Sequence, residues 1–552
     1  ARIGIWQRSC RDNDIRSLLQ QLNLAALQGP PEQRIRLASM IVHYGEALKG
    51  LEYGYSILMD NWNIPKAHLA YHGLILLNDD IRSVMPLATV VSEDTVVCLL
   101  IEGSERRYRI ENAQHAFFED ERLDTENDLA VILIGKQAGA KFNLQDRIGS
   151  KPVEIRWITP VYLDAFHRSL DQFNERFPRA NGLQKFTFDP NSPDPLEDIR
   201  AIVKACAGAD QRILGDYQSK GIPLAFVATL IGKDPLDVWG GLPTVDMPFQ
   251  VCRGTHFERG AAIEIVKQNG QAGCVLDAIT LSVVRRLGVE KAVAAVCGPI
   301  YTTQSVIDLL ALRALEAKQN IGKVKGFIAW RGDQLICENY SEKALVRVAD
   351  ECEKEITWAR QVVSIVPAMP KKDFQHDART IINIVGKVAC DPAVAADGNN
   401  LLLLSEDYGF RIWSAATFEV PTTWLQPVLI IAKEDGHLVA EEYYEAINKL
   451  VLSGHIYISL EPNCLMHQVR KDNFEVTREV SRILGMVGGP SADIYTNSSV
   501  MSAFIDSVIK ECTDGMKVRR IVSEAFRAFA KGRQENLGQL ISLILIKMRV
   551  KD

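Results

Sequence analysis

The sequence lacks any apolar run of about 18 residues or more, which is the length that a membrane-spanning helix needs. It also lacks an excess of basic residues: 63 Lys and Arg stand against 69 Asp and Glu, which leaves a net charge of −6 at pH 7. These absences predict a protein without a membrane span and exclude a uniformly basic coat for nucleic acid. Any site for a polyanion must then be a local patch.

The motifs of several common protein classes are also missing. The 11 cysteines are odd in number and form no CxxC pair, so we predict neither a disulfide framework nor a zinc ribbon, and this usage is typical of a reducing cytoplasm. Ile134-Gly135-Lys136 and Ile231-Gly232-Lys233 lack both the glycine lead-in and the following Ser or Thr of a nucleotide-binding P-loop. No G-x-S-x-G motif of an α/β-hydrolase is present.

What is present predicts a multidomain chain of mixed α+β and α/β class. The 552 residues correspond to about three to four domains at roughly 150 residues each. Changes in hydrophobic period divide the chain into helical repeats (1–80), a strand-rich segment (86–160), a helical connector (161–270), a segment of alternating strands and helices (271–436) and a helical C-terminal region (437–552). A last helix is predicted from Leu537, Leu540, Ile541, Leu543, Ile544 and Leu545.

The first segment resembles tetratricopeptide repeats. Residues 43–55 carry small residues at Ala47 and Gly54, and Pro65 opens the next helix, a pattern that lets paired helices approach closely. His68 and His72 stand four residues apart, as two zinc ligands on one helix face do. We favour packing for both histidines, because the Glu that follows the first His in a metalloprotease motif is absent.

The second segment is similar to the C-terminal domain of Gre-type transcript-cleavage factors. Residues 95–101, 107–110, 130–134 and 153–158 predict strands, and a turn with Gly135 and Gly139 precedes the last of them. The second glycine supplies the positive φ that such a turn needs. The resemblance implies a small FKBP-like α+β domain that docks a protein partner, for which RNA polymerase is one candidate.

Acidic residues follow the strands of the fourth segment. An apolar strand ends at Asp277, Ser305 is a helix cap with Asp308 at the third helical position, Asp391 heads another helix, and the strand at 401–404 is followed by Glu406 and Asp407. In a parallel sheet these acids meet at the carboxyl edge, where α/β proteins build their sites. Clustered carboxylates select Mg²⁺ or Mn²⁺. The alternative for Asp308 and Asp391 is that they complement helix dipoles.

These residues resemble the PIN nuclease domain. The strings VLDAITL, IYTTQSVIDLL and LLLLSEDYGFR look most like the PIN branch in which tetratricopeptide repeats and a Gre-type domain precede the nuclease. The resemblance implies that Asp277, Asp308 and Asp407 hold Mg²⁺ or Mn²⁺ and that Asp391 or Glu406 completes the shell. It implies hydrolysis of RNA, or alternatively DNA, in a bacterial conflict or anti-phage system.

Three functions stay open from the sequence, of which the third is a transcription-associated adaptor that rests only on residues 86–160 and requires binding to RNA polymerase. The first is a cytoplasmic nuclease that binds nucleic acid, together with a protein partner or further copies of itself. The second is an inactive PIN scaffold or sensor, because Asp308 replaces a more usual Glu and because Ala278 and Ile279 stand between Asp277 and Thr280. For the nuclease, Arg285, Arg286 and Arg411 are candidates to steer a strand, and Trp330 and Trp424 are candidates to stack on bases, although burial is the default for Trp.

Overall fold

A computed structural model describes residues 6, 11–85, 87–146, 149–177, 196–372, 376–488, 494–531, 538 and 542. The chain forms two compact units, unit 1 (Ala1–Asp198) and unit 2 (Ile199–Asp552). Both units mix helices and strands, in agreement with the predicted class, and the finer division into five segments stays a prediction. Within the described ranges, no helix has both the length and the apolarity to cross a membrane. The six residues that predict the last helix lie outside the described residues.

From residue 11 to residue 85, unit 1 forms five closely packed α-helices: α1 (Asp12–Gln21), α2 (Pro31–Tyr44), α3 (Ala47–Asp60), α4 (Pro65–Leu76) and α5 (Asp79–Val84). Small residues of α3 face its neighbours. A Cβ at Gly50 would lie 2.8 Å from the Ala38 carbonyl oxygen, and one at Gly54 would lie 2.4 Å from Cδ2 of Leu74. The close approach that the sequence predicts at position 54 is therefore present.

The strand-rich part of unit 1 is a five-stranded sheet that is followed by a helix. Its elements are β1 (Thr95–Ile101), β2 (Ser104–Ile110), β3 (Arg122–Leu123), α6 (Asp128–Leu133), β4 (Lys141–Asp146), β5 (Gly149–Pro160) and α7 (Val161–Arg176). The strand order is β3-β2-β1-β5-β4, with only β2 and β3 parallel. Gly139 has φ +83°, as predicted for the second glycine of the turn.

The strand predicted at residues 130–134 is wrong, because these residues lie mostly in α6. The Asn127 side chain accepts a hydrogen bond from the Leu129 N–H and so starts the helix. Ala130 and Leu133, three residues apart, are buried, whereas Val131 is 62% exposed. A short apolar run does not distinguish a strand from one helical turn, and here the cap decides.

His68 and His72 pack inside unit 1. Both imidazoles contact the Ser169 hydroxyl, at 2.6 Å from His68 Nδ1 and 2.7 Å from His72 Nε2. The other nitrogen of His68 lies 2.6 Å from the Trp62 carbonyl oxygen. Burial lowers the pKa of His72 to about 4, so this histidine is neutral at pH 7. These contacts agree with the packing interpretation.

The remaining helices and strands of the described residues belong to unit 2, apart from residues 197–198 at the start of the first helix, which belong to unit 1. They are α8 (Glu197–Lys220), α9 (Leu224–Ile231), α10 (Pro235–Gly241), β6 (Phe249–Gln250), α11 (His256–Asn269), β7 (Cys274–Leu276), α12 (Ala278–Leu287), α13 (Glu290–Cys297), β8 (Ile300–Thr302), α14 (Gln304–Gln319), β9 (Gly326–Arg331), β10 (Gln334–Asn339), α15 (Glu342–Val362), β11 (Ser364–Ile365), α16 (His376–Val385), α17 (Lys387–Asn399), β12 (Leu402–Leu404), α18 (Tyr408–Phe418), β13 (Thr422–Thr423), α19 (Leu425–Glu434), α20 (Ala440–Leu452), β14 (His455–Ile456), α21 (Pro462–Lys471), α22 (Arg478–Gly488), α23 (Ile494–Glu511) and α24 (Gly515–Ala530).

A parallel five-stranded sheet lies at the centre of unit 2, as the alternating pattern predicts. Its strand order is β11-β8-β7-β12-β13, and all four pairings are parallel. The residues of β7 and β12 are fully buried, as expected for strands covered on both faces. One hydrophobic core joins this sheet to the connector helices and the C-terminal helices, through residues such as Leu224, Leu276 and Phe504.

Candidate active site

Two acidic residues meet at the carboxyl edge of the parallel sheet. Asp277 follows β7 and Asp407 follows β12, and these strands are hydrogen-bonded neighbours with Leu276 paired to Leu404. Both acids line one small cavity of about 20 Å³. A space of this size holds about one water molecule. The structure thus brings together two of the predicted site residues in the place that the sequence predicts.

Asp277 is the N-cap of α12. Its Oδ1 accepts a hydrogen bond of 2.8 Å from the Thr280 N–H. Its Oδ2 is buried and has no hydrogen-bond partner. Burial raises the pKa of this carboxyl, and the Ser405 hydroxyl and the Thr280 amide partly offset that rise. An unpartnered buried carboxylate oxygen is costly, so this atom favours a cation or a proton.

Asp407 is the N-cap of α18 and is bound by two backbone amides. Oδ1 accepts a hydrogen bond of 3.2 Å from the Phe410 N–H, and Oδ2 accepts one of 2.5 Å from the Leu224 N–H. Burial raises the pKa of Asp407 to about 7, and the nearby negative charge of Asp277 adds to the rise. Asp407 therefore binds a proton more readily than an exposed Asp does.

Glu406 is fully buried beside His455 and does not line the cavity. Its Oε1 accepts a hydrogen bond of 2.7 Å from the Leu425 N–H, and its Oε2 lies 3.5 Å from His455 Nε2. Burial raises the pKa of Glu406 to about 7 and lowers that of His455 to about 3. The histidine is therefore uncharged at neutral pH, and the group of this pair that titrates near neutrality is Glu406.

Arg411 is buried, which makes the predicted steering role wrong. Only 4% of the residue is exposed, and its guanidinium donates hydrogen bonds to the carbonyl oxygens of Ser405 and Val251. The guanidinium also lies over the ring of Trp424, 5.0 Å from its centroid, and Trp424 is itself buried. The positive charge of Arg411 lowers the pKa values of Glu406 and Asp407, but burial raises both values by more. Arg411 therefore acts as an internal countercharge.

Asp308 and Asp391 lie elsewhere on their helices than the sequence predicts. Helix α14 is capped by Thr303 rather than Ser305, so Asp308 lies in the second turn, where it accepts a hydrogen bond of 2.8 Å from the Gln304 side chain. Asp391 lies inside α17, one turn after its start, although Asp followed by Pro resembles a cap with Pro at the first helical position. Burial raises the pKa of Asp391, and its hydrogen bond to Ser305 lowers it.

Neither Asp308 nor Asp391 lines the cavity. Among the residues that the structure describes, no three His, Cys, Asp or Glu side chains are grouped to hold a metal ion. The metal roles of Asp277, Asp308, Asp391, Glu406 and Asp407 therefore stay predictions.

The connector supplies one wall of the cavity, and sequence reasoning missed it. Ala225 of α9 and Pro235 of α10 line the cavity together with the two acids. A Cβ at Gly409 would lie 2.3 Å from the Gly221 carbonyl oxygen, so the two backbones are in direct contact. No local pattern marks this contact, because Leu224 and Asp407 are 183 residues apart.

Residues 275–416 match the family model described as the PIN domain associated with the TPR-GreAB-C-PIN system. The matched range contains all five predicted acidic residues and does not include α9 or α10. No curated protein matches the chain, and no solved structure matches it. The match supports a PIN-associated domain of that system at residues 275–416, whereas the tetratricopeptide-like and Gre-like segments stay predictions.

Proposed function

We propose that the PIN-type domain is a metal-dependent nuclease that hydrolyses phosphodiester bonds of RNA, with DNA as the second substrate class. The observation that carries this proposal is the pair Asp277 and Asp407, which line one cavity at the carboxyl edge of the parallel sheet. Ligands of α/β proteins bind at this edge. The family match at residues 275–416 adds support, because PIN domains are generally nucleases.

The donor chemistry of the pair fits Mg²⁺ or Mn²⁺. Mg²⁺ in proteins is commonly bound by one or two carboxylates, with water and substrate phosphate as the other ligands. Asp277 offers an unpartnered oxygen, and the amides of Thr280 and Phe410 fix the orientation of the two carboxylates. When bound, the ion would polarise the phosphate and lower the pKa of a water molecule. Asp308 and either Asp391 or Glu406 are proposed to complete the site.

The test is cleavage of end-labelled single-stranded RNA and DNA with Mn²⁺, Mg²⁺ or EDTA. Asp277→Asn removes a charged ligand, and we expect the cleavage rate to fall by about 100-fold or more, since even an outer partner of a metal ligand is worth 10- to 100-fold. Asp350→Asn, on the exposed face of α15, is the matched control and should cut as the wild type does. Cleavage that persists in EDTA or in Asp277→Asn contradicts the proposal.

The second candidate is a PIN scaffold without catalysis. Both oxygens of Asp407 already accept backbone amides, which favours a structural role for this residue. A scaffold has no use for a metal ion, whereas the nuclease requires one. Titration calorimetry with Mn²⁺ distinguishes them: heat that is lost in Asp277→Asn supports the nuclease, and no heat in any variant supports the scaffold.

The partner and cellular setting are proposed from the resemblance. Unit 1 would dock a protein, with RNA polymerase as one candidate, and homo- or hetero-oligomers are compatible with that role. The setting would be anti-phage defence or another bacterial conflict in the cytoplasm. Co-purification of RNA polymerase with the full chain, compared with a chain without residues 1–198, tests the partner.

A further inference from the structure

We propose that residues 221–235, here called the cover segment, form an autoinhibitory lid that closes the site of Asp277 and Asp407. The biological role of this lid rests on the proposed function, whereas the evidence for it is the set of contacts within unit 2. The cover segment contains α9 and the start of α10, and it lies outside the range that matches the PIN family.

The cover segment contacts the acids directly. The Leu224 N–H donates to Asp407 Oδ2 at 2.5 Å, and Ala225 and Pro235 complete the wall of the cavity. α9 has the sequence LAFVATLI, so a helix with no charged side chain covers two carboxylates.

The cavity at the two acids is narrow, although part of it opens to solvent. A volume of about 20 Å³ accepts one water-sized species. A hydrated Mg²⁺ or Mn²⁺ ion with a phosphodiester needs several times that space, because Mg²⁺ keeps several of its water ligands. Because Asp277 is only 8% exposed and Asp407 only 2%, a phosphodiester with its metal ion reaches both acids only after the cover segment has moved.

Specific contacts hold the cover segment in place. The Thr229 hydroxyl donates to the Val385 carbonyl oxygen at 3.0 Å, and the ring of Phe226 lies 5.1 Å from that of Trp413, centroid to centroid. At the far end, Arg313 of α14 forms ion pairs with Asp234 and Asp237. α9 therefore packs against α16, α17 and α18, which all belong to the alternating segment.

The ends of α9 are suited to a hinge. Gly221, before the helix, has φ +63°, and Gly232, after it, has φ +74°. Glycine adopts these values without strain, and hinges are often small residues at the ends of elements. Opening exposes Leu224, Val227 and Ala228, which are fully buried. The closed state is therefore favoured in the isolated protein, and only the small open fraction is active.

The first test loosens the cover segment without changing the acids. Phe226→Ala with Thr229→Val removes the ring contact and the hydroxyl bond, and Leu230→Ala is the control on the same helix because Leu230 is 57% exposed. Hydrogen exchange of the amides of 222–232 reports opening, and calorimetry reports the dissociation constant for Mn²⁺. We expect faster exchange and at least about tenfold tighter Mn²⁺ binding in the double variant, since binding improves in proportion to the open fraction.

The second test isolates the amide that binds Asp407. Leu224→Pro removes the N–H at the first helical position, where proline is tolerated, and Pro223 has ψ 135°, which is compatible with a following proline. Leu224→Ala keeps the N–H and loses at least as much side-chain packing. We expect Leu224→Pro to bind Mn²⁺ more tightly than Leu224→Ala. Equal affinities contradict the role of this amide.

The outcomes separate the lid from the nuclease. Faster exchange with tighter Mn²⁺ binding but no cleavage of RNA or DNA supports the lid and contradicts the nuclease. Cleavage by the wild type at the same rate as by the double variant contradicts the lid and supports the nuclease. Faster exchange with unchanged Mn²⁺ affinity, or with no Mn²⁺ binding in any variant, overturns the lid. Leu230→Ala should match the wild type in both readouts.

Discussion

At the scale of single residues, the site is a cluster of buried acids with one buried cation. Asp277, Glu406 and Asp407 interact electrostatically, and Arg411 is the cation that lowers the pKa values of the latter two. Burial outweighs that attraction, so Glu406 and Asp407 have pKa values of about 7. At neutral pH such an acid releases its proton readily, so a metal ion can take the place of the proton.

The raised pKa values predict a loss of stability with rising pH. The folded state holds protons on Glu406 and Asp407 up to about pH 7, whereas the unfolded chain releases them near pH 4. The stabilisation is thus complete below about pH 4 and is lost as pH rises through about 7, on the order of 3 kcal/mol for one group. Urea unfolding in EDTA between pH 5 and pH 8 measures the slope.

Glu406→Gln should reduce that pH dependence by about half, because the amide has no proton to release whereas Asp407 still titrates. Asp350→Asn, on the exposed face of α15, should leave the slope unchanged. A wild-type free energy of unfolding that stays constant or rises between pH 5 and pH 8 contradicts the raised pKa values.

Arg411→Met tests the internal countercharge. It leaves Glu406 and Asp407 without the cation and removes the hydrogen bonds to Ser405 and Val251. Breaking a buried charge pair costs about 3–5 kcal/mol, so we expect a loss of about 3 kcal/mol in the free energy of unfolding. Arg285→Met removes a partly exposed ion pair with Glu351 and should cost less than about 1 kcal/mol. Equal losses in both variants would argue against the countercharge.

At the scale of elements, the sequence predicts the strands of the site better than its helix starts. Fully buried apolar strands precede Asp277 and Asp407, and an acid just after such a strand lies at the carboxyl edge of a parallel sheet. Helix starts are weaker signals when several capping residues stand close together, as Thr303 and Ser305 do. An Asp-Pro pair inside α17 resembles a helix start, yet the helix begins one turn earlier. These two shifts move Asp308 and Asp391 off their expected positions.

The tight packing of α2 and α3 gives a prediction at this scale. A Cβ at Gly50 would lie 2.8 Å from the backbone oxygen of Ala38 and 2.8 Å from the backbone nitrogen of Val42, so Gly50→Ala must push the helices apart. We expect this substitution to lower the free energy of unfolding of unit 1 by about 1–3 kcal/mol. Gly73→Ala in α4 meets only Leu77 at 3.9 Å and should be neutral or stabilising by up to about 1 kcal/mol. Thermal unfolding of the full chain compares them.

At the scale of the whole molecule, the decisive contact joins residues far apart in the sequence. The sheet, its order of acids and the PIN resemblance can be read from residues 271–436, but the Leu224 amide on Asp407 cannot. A backbone N–H leaves no trace in side-chain identity, and α9 resembles any short apolar helix. The proposed regulation by the cover segment therefore depends on a tertiary contact, which no local sequence pattern predicts.

RNA cleavage by a variant with a loosened cover segment is the most direct test of a metal-dependent site beneath α9. End-labelled single-stranded RNA is incubated with Mn²⁺ and the Phe226→Ala, Thr229→Val variant, beside the same variant that also carries Asp277→Asn. We expect the first protein to cleave the RNA faster than the wild type does, and we expect the rate to fall by about 100-fold or more in the second. Cleavage that is equal in both proteins, or no cleavage and no Mn²⁺ binding in either, would contradict a metal-dependent site closed by α9.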